Sequence, residues 1–152
     1  MSIEIIVPSL NSVISLVEKA PAIAEKHVDM AIRRSLARVR GEINREAPYG
    51  VSNKHLRDAW VFQFARFEGT LKSEVPYGAA VEYGTRPHYV SPEELAPWAA
   101  SKGLNPYAVS KSIAKKGTKA NPFFQRAVNT ATPGVLIEFD KAIQGIIKEM
   151  SF

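Results

Sequence analysis

The chain has 152 residues, 45% of them hydrophobic and 23% charged, with a net charge of +5 and no cysteine. A length of this kind fits one domain that buries ~70% of the surface its unfolded form exposes, and the composition is too mixed for disorder. The missing cysteine excludes disulfides, thiolate catalysis and cysteine-based zinc sites, while the moderate positive charge permits an acidic partner without naming one. No apolar run reaches the ~20 residues that cross a bilayer, and Met1-Ser2-Ile3-Glu4 lacks the basic-then-apolar layout of a signal peptide. Neither a membrane partner nor export by that route is expected.

Residues 1–20 read as an N-terminal arm and a short helix. Ile3, Ile5, Ile6 and Val7 have strand character until Pro8 stops them, which suits an edge strand or an arm. Val13, Ile14, Val17 and Ala20 recur at helical spacing, and Pro21 fits the first turn of the next helix. That helix, over 21–46, is the longest expected element. Ala24, Val28, Ala31, Ile32, Leu36, Val39 and Ile43 form one continuous apolar stripe along it. Lys26, Arg33, Arg34, Arg40 and Arg45 fall mainly on the other side, as a solvated face or as a positive surface toward DNA or an acidic neighbour. No aromatic residue interleaves with these arginines in sequence, so no base-stacking platform is expected there.

Ala47-Pro48-Tyr49-Gly50 breaks the helix, and Ser52 can cap a short turn containing Leu56. Trp60, Phe62 and Phe64 then alternate with Val61, Gln63 and Ala65, the pattern of a strand with one buried face. Glu68-Gly69 offers a turn, with 70–75 returning as the hairpin partner. Tyr77, Ala80, Val81 and Gly84 lie at helical spacing, Gly84 supplies a C-cap, and Thr85-Arg86-Pro87 ends the turn. The fold class is therefore α+β, a single domain over 1–152 in which a long amphipathic helix packs on a small antiparallel β-sheet.

Residues 88–120 read as an inserted helical pair. Ser91 is placed as N-cap, Pro92 at the first helical position and Glu94 reaching back, with the helix ending at Gly103. Asn105-Pro106 repeats the start and Gly117 the stop. Lys111, Lys115, Lys116 and Lys119 make the second helix and its exit basic. Asn121-Pro122-Phe123-Phe124 opens another helix, with both phenylalanines anchoring it to the core. Thr132-Pro133 is expected to restart the chain as a separate C-terminal helix, lined by Val135, Leu136, Phe139, Ile143, Ile146, Ile147 and Met150.

No catalytic cluster emerges from these elements. His27, His55 and His88 are far apart and lack ligand spacing, so no metal is expected. Ser52, His55 and Asp58 sit three apart on one turn, where side chains stack along a face and do not converge on a substrate. Gly117-Thr118-Lys119 lacks the spacer and Gly-Lys-Ser/Thr ending of a phosphate loop. Glu82 is a lone carboxylate in an aromatic junction; it is expected to hold the turn, near the Gly84-Thr85 backbone, or to meet a neighbouring subunit. A hydrolase built on Glu82, His88 and Tyr89 has no supporting second acid or metal cluster. The expectation is a protein with no enzymatic activity and no cofactor.

A family resemblance comes from the order of several segments: a long amphipathic helix ending in Ala47-Pro48, a Leu56-Arg57 turn, an aromatic hairpin, Tyr77-x-x-x-Val81-Glu82-Tyr83-Gly84-Thr85, and Pro122-Phe123-Phe124 opening a helix. This order resembles the small tail-component family of tailed bacteriophages, the neck or tail-completion proteins of the head–tail connection, and covers about Pro21 to the C-terminus. Val81, Glu82, Tyr83, Gly84, Thr85, Pro122 and Phe123 match the family pattern; the stretch from Arg86 to Ala120 is longer than in many members. The resemblance implies a structural protein of a phage or prophage virion, assembled in the host cytoplasm as a homo-oligomeric ring in the tail or neck. Its partners would be other tail or head-connector proteins. Rings use heterologous contacts, for which the Ile3–Val7 arm and the 88–120 pair are the candidates. If the ring encloses DNA, Arg33, Arg34 and Arg40, or Lys115, Lys116 and Lys119, would line it for non-specific contact. The rival reading is a basic nucleic-acid-binding module built on the arginine face.

Overall fold

The apolar stripe of the first long helix is the spine of the fold. In the computed structural model, which describes residues 2–4, 18, 21–48 and 54–150, this helix, α1, spans Pro21–Glu46. Every stripe residue from Ala24 to Ile43 is buried, with Leu36 and Ile43 at 0% exposure. Burying a side chain of this size contributes about 1.5–3 kcal/mol. Arg57 closes the C-terminal end of the helix by donating from Nε and Nη2 to the Ala47 carbonyl at 3.1 and 2.7 Å, satisfying a group that no further helical turn can reach.

A short helix α2 (Lys54–Asp58) leads into a three-stranded antiparallel sheet of order β1-β3-β2, built from Ser2–Glu4, Trp60–Ala65 and Glu68–Ser73 as β1, β2 and β3. The edge strand expected at the N-terminus is present over Ser2–Glu4, paired to β3. The expected continuation through Ile5–Val7, the short helix apart from a helical Glu18, and the Ser52 cap lie outside the described residues.

The hairpin turn falls two residues earlier than the sequence predicts. Ala65 pairs with Glu68, so Arg66-Phe67 make the turn, with Phe67 at φ 60°. Gly69 belongs to β3, where α1 crosses the sheet: a Cβ there would sit 2.3 Å from Ile32 Cγ2 and 2.8 Å from Leu36 Cδ1. Its small size serves close approach of helix and strand, which overrides its local preference for a turn.

After α3 (Gly78–Tyr83), the chain leaves this body and forms α4 (Pro92–Ser101) and α5 (Pro106–Lys116). Asn105 caps α5 by accepting from the Tyr107 and Ala108 amides, as its position predicts. Ser91 stands at the N-cap of α4 with Pro92 in its first turn, but its hydroxyl donates to the Glu93 carboxylate, so the expected reach from Glu94 is replaced by a contact one residue nearer. The first helix stops at Ser101 and turns through Gly103 at φ 65°.

The largest departure is at the C-terminus. One continuous helix, α6, runs Phe123–Met150 with Pro133 inside it, where two helices were expected. Pro133 points to solvent, and the Thr132 hydroxyl donates to the Val128 carbonyl at 2.7 Å. Packing along α1 holds the helix through the missing amide. Its buried row is Phe123, Ala127, Ala131, Val135, Phe139, Ala142 and Ile146. Ala142 thus joins the expected stripe, Ile143 and Met150 pack against it half-buried, and Leu136 and Ile147 remain 53% and 51% exposed.

Candidate functional site

Four segments that lie far apart in sequence meet where α3 hands the chain to the helical pair and receives it back. Glu82, on the inner side of α3, is 2% exposed. Its Oε2 accepts from the Phe124 amide at 2.8 Å and its Oε1 from the Gln125 amide at 3.0 Å. The carboxylate therefore caps the N-terminus of α6, where orphan N–H groups and the helix dipole both favour a negative charge. The sequence places this carboxylate's contact near Gly84-Thr85. The structure moves it 42 residues along the chain, because α6 carries no acidic residue in its own first turn.

The rest of the junction is built on the same two strands of backbone. The Val81 carbonyl accepts from the Asn121 amide at 2.9 Å, and the Thr85 amide donates to the Thr118 carbonyl at 3.1 Å. Thr85 Oγ1 also accepts from the Thr118 amide and lies 2.9 Å from its hydroxyl. Gly84 and Gly117 adopt φ 74° and 73°, and a Cβ on Gly117 would fall 1.9 Å from the Thr85 carbonyl oxygen. No other residue type fits that backbone. Pro122 precedes α6, Phe123 is fully buried, and Phe124 stacks on Trp60 with centroids 5.4 Å apart. Trp60 in turn donates its indole N–H to the Leu56 carbonyl at 2.8 Å. Of the aromatic residues in these segments, Tyr83 is the strongly exposed one, at 73%.

No described family, curated protein or solved structure matches this chain.

The basic residues expected to face DNA or a partner are sorted into different environments. Arg33 pairs with Asp29 at 2.7 Å and lies 4.1 Å over the Phe64 ring. Arg40 lies 5.3 Å over Phe62. The tertiary fold thus interleaves rings with these arginines where the linear sequence showed none, and the phenyl faces are already occupied by guanidinium groups of the same chain. Arg34 and Arg38 converge instead on Glu138 of α6, at 3.8 and 3.5 Å, with Lys141 at 3.3 Å. The Lys141 hydrogen bond, with the charges of Lys141, Arg34 and Arg38, holds the Glu138 carboxyl below its ordinary pKa against the cost of burial. A depression of about 410 Å³ opens there, lined by Arg34, Arg38, Gly41, Glu42, Arg45 and Glu138. Each of its three arginines faces one of its two carboxylates, Arg45 lying 3.0 Å from Glu42.

Lys115 and Lys116 are exposed on α5, and Lys119 is exposed on the segment that follows it. Sequence reasoning missed Arg38 as the partner of Glu138, and it missed the exposure of Tyr89 and Tyr107, at 74% and 68%.

Catalytic geometry is not assembled from the described residues. Glu82 spends both oxygens on backbone amides, while His88 Nδ1 lies 2.9 Å from the Arg86 carbonyl and 3.3 Å from Thr85 Oγ1. His27 lies 3.0 Å from Glu149. Among the described residues no three His, Asp or Glu side chains group as metal ligands, and no helix is long and apolar enough to cross a membrane.

Proposed function

We propose that this chain is a structural virion subunit of a tailed phage or prophage, a head–tail connector or tail-completion protein that acts by ring assembly and protein–protein contacts and performs no catalysis. The observation that carries the reading is the Glu82 cap on α6. It joins the two segments on which the family resemblance chiefly rests, Val81–Thr85 and Pro122–Phe123, and gives their one carboxylate a scaffolding role. Ala47 and Leu56-Arg57 are tied to the same body through the Arg57 and Trp60 hydrogen bonds. The segments that carry the resemblance therefore specify one connected frame.

The surfaces left over suit an assembly subunit. Leu136 and Ile137 on α6 are half-exposed, and Tyr83, Tyr89 and Tyr107 stand out around the helical pair. A heterologous ring joins one such patch to a different patch on the neighbour. Because β1 completes the subunit's own sheet, the helical pair is the better candidate for that contact than the N-terminal arm.

The test is the mass of the purified protein by light scattering at low and high salt, without nucleic acid, followed by addition of isolated phage neck or tail proteins. A ring-sized species that persists at high salt, or one that forms on adding those proteins, is expected. A monomer under every one of these conditions would overturn the reading.

A further inference from the structure

The helical pair carries most of the net positive charge of this protein, and among the described residues none of its cations meets a carboxylate. Between Arg86 and Lys119 stand six cations (Arg86, Lys102, Lys111, Lys115, Lys116, Lys119) against Glu93 and Glu94, so this segment holds four of the net five positive charges. All six cations are exposed, and among the described residues none forms an ion pair. Glu93 is engaged by Ser91. Most arginines of the body differ: Arg33, Arg34, Arg38, Arg45, Arg66 and Arg126 each meet a carboxylate, while Arg40 lies over a ring.

Position concentrates these charges further. Tyr107, Lys111 and Lys115 follow one another at four-residue spacing along α5, and all three are exposed. The tight backbone contact of Gly117 with Thr85 and Arg86, and of Gly84 with Thr118 and Lys119, brings Arg86 and Lys119 to the neck of the pair, beside the exposed Tyr83. The result is a basic ridge along α5 and the neck, with the exposed Tyr107 and Tyr83 on the same two elements.

We infer that this ridge binds the phosphate backbone of duplex DNA without reading sequence. Five of the six cations are lysines, mobile point charges suited to diffuse phosphate contact. Arginine forks, the better match for carboxylates, are used in the body for that purpose. This favours a polyphosphate over an acidic protein. The three tyrosines lie at separate places, on α3, in the following loop and at the start of α5, and form no continuous track for stacking the bases of a single strand. Tyrosine and lysine both contact phosphate oxygens in duplex complexes. The inference assigns the DNA contact to the helical pair and removes it from the arginines of α1; it holds for a monomer as well as for a ring.

The experiment is fluorescence anisotropy of a short labelled duplex with the full-length protein across a salt series, reading the slope of log affinity against log salt. A variant with Lys111, Lys115, Lys116 and Lys119 each changed to Gln is compared with a control carrying Arg33→Gln and Arg34→Gln. The lysine variant is expected to keep the thermal midpoint of the parent and to lower the slope by roughly 3 to 4, about 0.9 for each lost phosphate contact. The control is expected to change it by less than about 1. Absence of binding by the parent at low salt, an unchanged slope in the lysine variant, or an equal loss in the control would overturn the inference. So would displacement of the duplex by polyglutamate as effective as by unlabelled duplex, because the ridge would then be a site for an acidic protein. Ring formation is read separately by mass, so either result stands without the other.

Discussion

The body and the helical pair solve the problem of charge in opposite ways. In the body, α1 and α6 lie side by side and carboxylates from one reach cations of the other: Glu138 collects Arg34 and Arg38, Glu149 takes Lys26 and His27, and Glu46 takes Arg126. In the helical pair the cations have no such neighbours, and the buried residues of its two helices are only Ala99 and Ser110. A small appendage with a thin core and an unneutralised surface gains little of its own stability from that surface. What this teaches is where to look for intermolecular work: the charges a chain satisfies internally are poor candidates for a partner, and those it leaves open are better ones.

Glu82 is where the two regions meet, so changing it should have the largest effect. Glu82→Ala leaves two part-buried amides without an acceptor and removes the cap of α6, and is expected to cost about 1–3 kcal/mol of stability in urea denaturation. Glu82→Gln, which keeps one acceptor oxygen, should recover part of that loss. If Glu82→Ala matched the parent, the cap would not be the tie between the regions.

Two glycines then separate body from pair. Gly69→Ala drives a methyl into Ile32 and Leu36 and should lower the global unfolding free energy by about 1–3 kcal/mol. Gly117→Ala places its Cβ against the Thr85 carbonyl at a positive φ. It should open the neck and speed amide exchange across α4 and α5, with a much smaller effect on the unfolding of the body. A global loss from Gly117→Ala as large as that from Gly69→Ala would erase the distinction between the two regions.

Acid should give the smallest effect, and it should fall on the body. The Glu138 carboxyl is held below its ordinary pKa by the hydrogen bond and charge of Lys141 and the charges of Arg34 and Arg38. Glu149 is held down by hydrogen bonds from Lys26 and His27 and by their charges. A folded-state pKa below the unfolded value stabilises above the ordinary carboxylate range and is lost as pH falls through the folded value. The urea midpoint is therefore expected to decline below about pH 4, and Glu138→Gln should flatten that decline. Lys26, Arg34, Arg38 and Lys141, the cationic ends of these pairs, are largely open to water, so the change is modest.

Much of the fold was legible in the residues taken alone. The buried stripe of α1, the aromatic strand, the caps at Asn105, Gly84 and Gly117, and the α+β class all follow from spacing and backbone preference, which act over three or four residues. The failures share one cause. Gly69 looked like a turn and Pro133 like a break, because each was judged by local preference; packing against α1 decided both. Glu82 was noticed for its lone charge, yet its partner lay on a helix whose own first turn offered no acid. Likewise Arg33 and Lys115 were indistinguishable as letters. The sequence by itself determined which segments are helix or strand and where the positive charge is concentrated. Only the tertiary structure decided which of those charges are already matched, because pairing depends on which carboxylates and rings the packed helices bring across from distant parts of the chain.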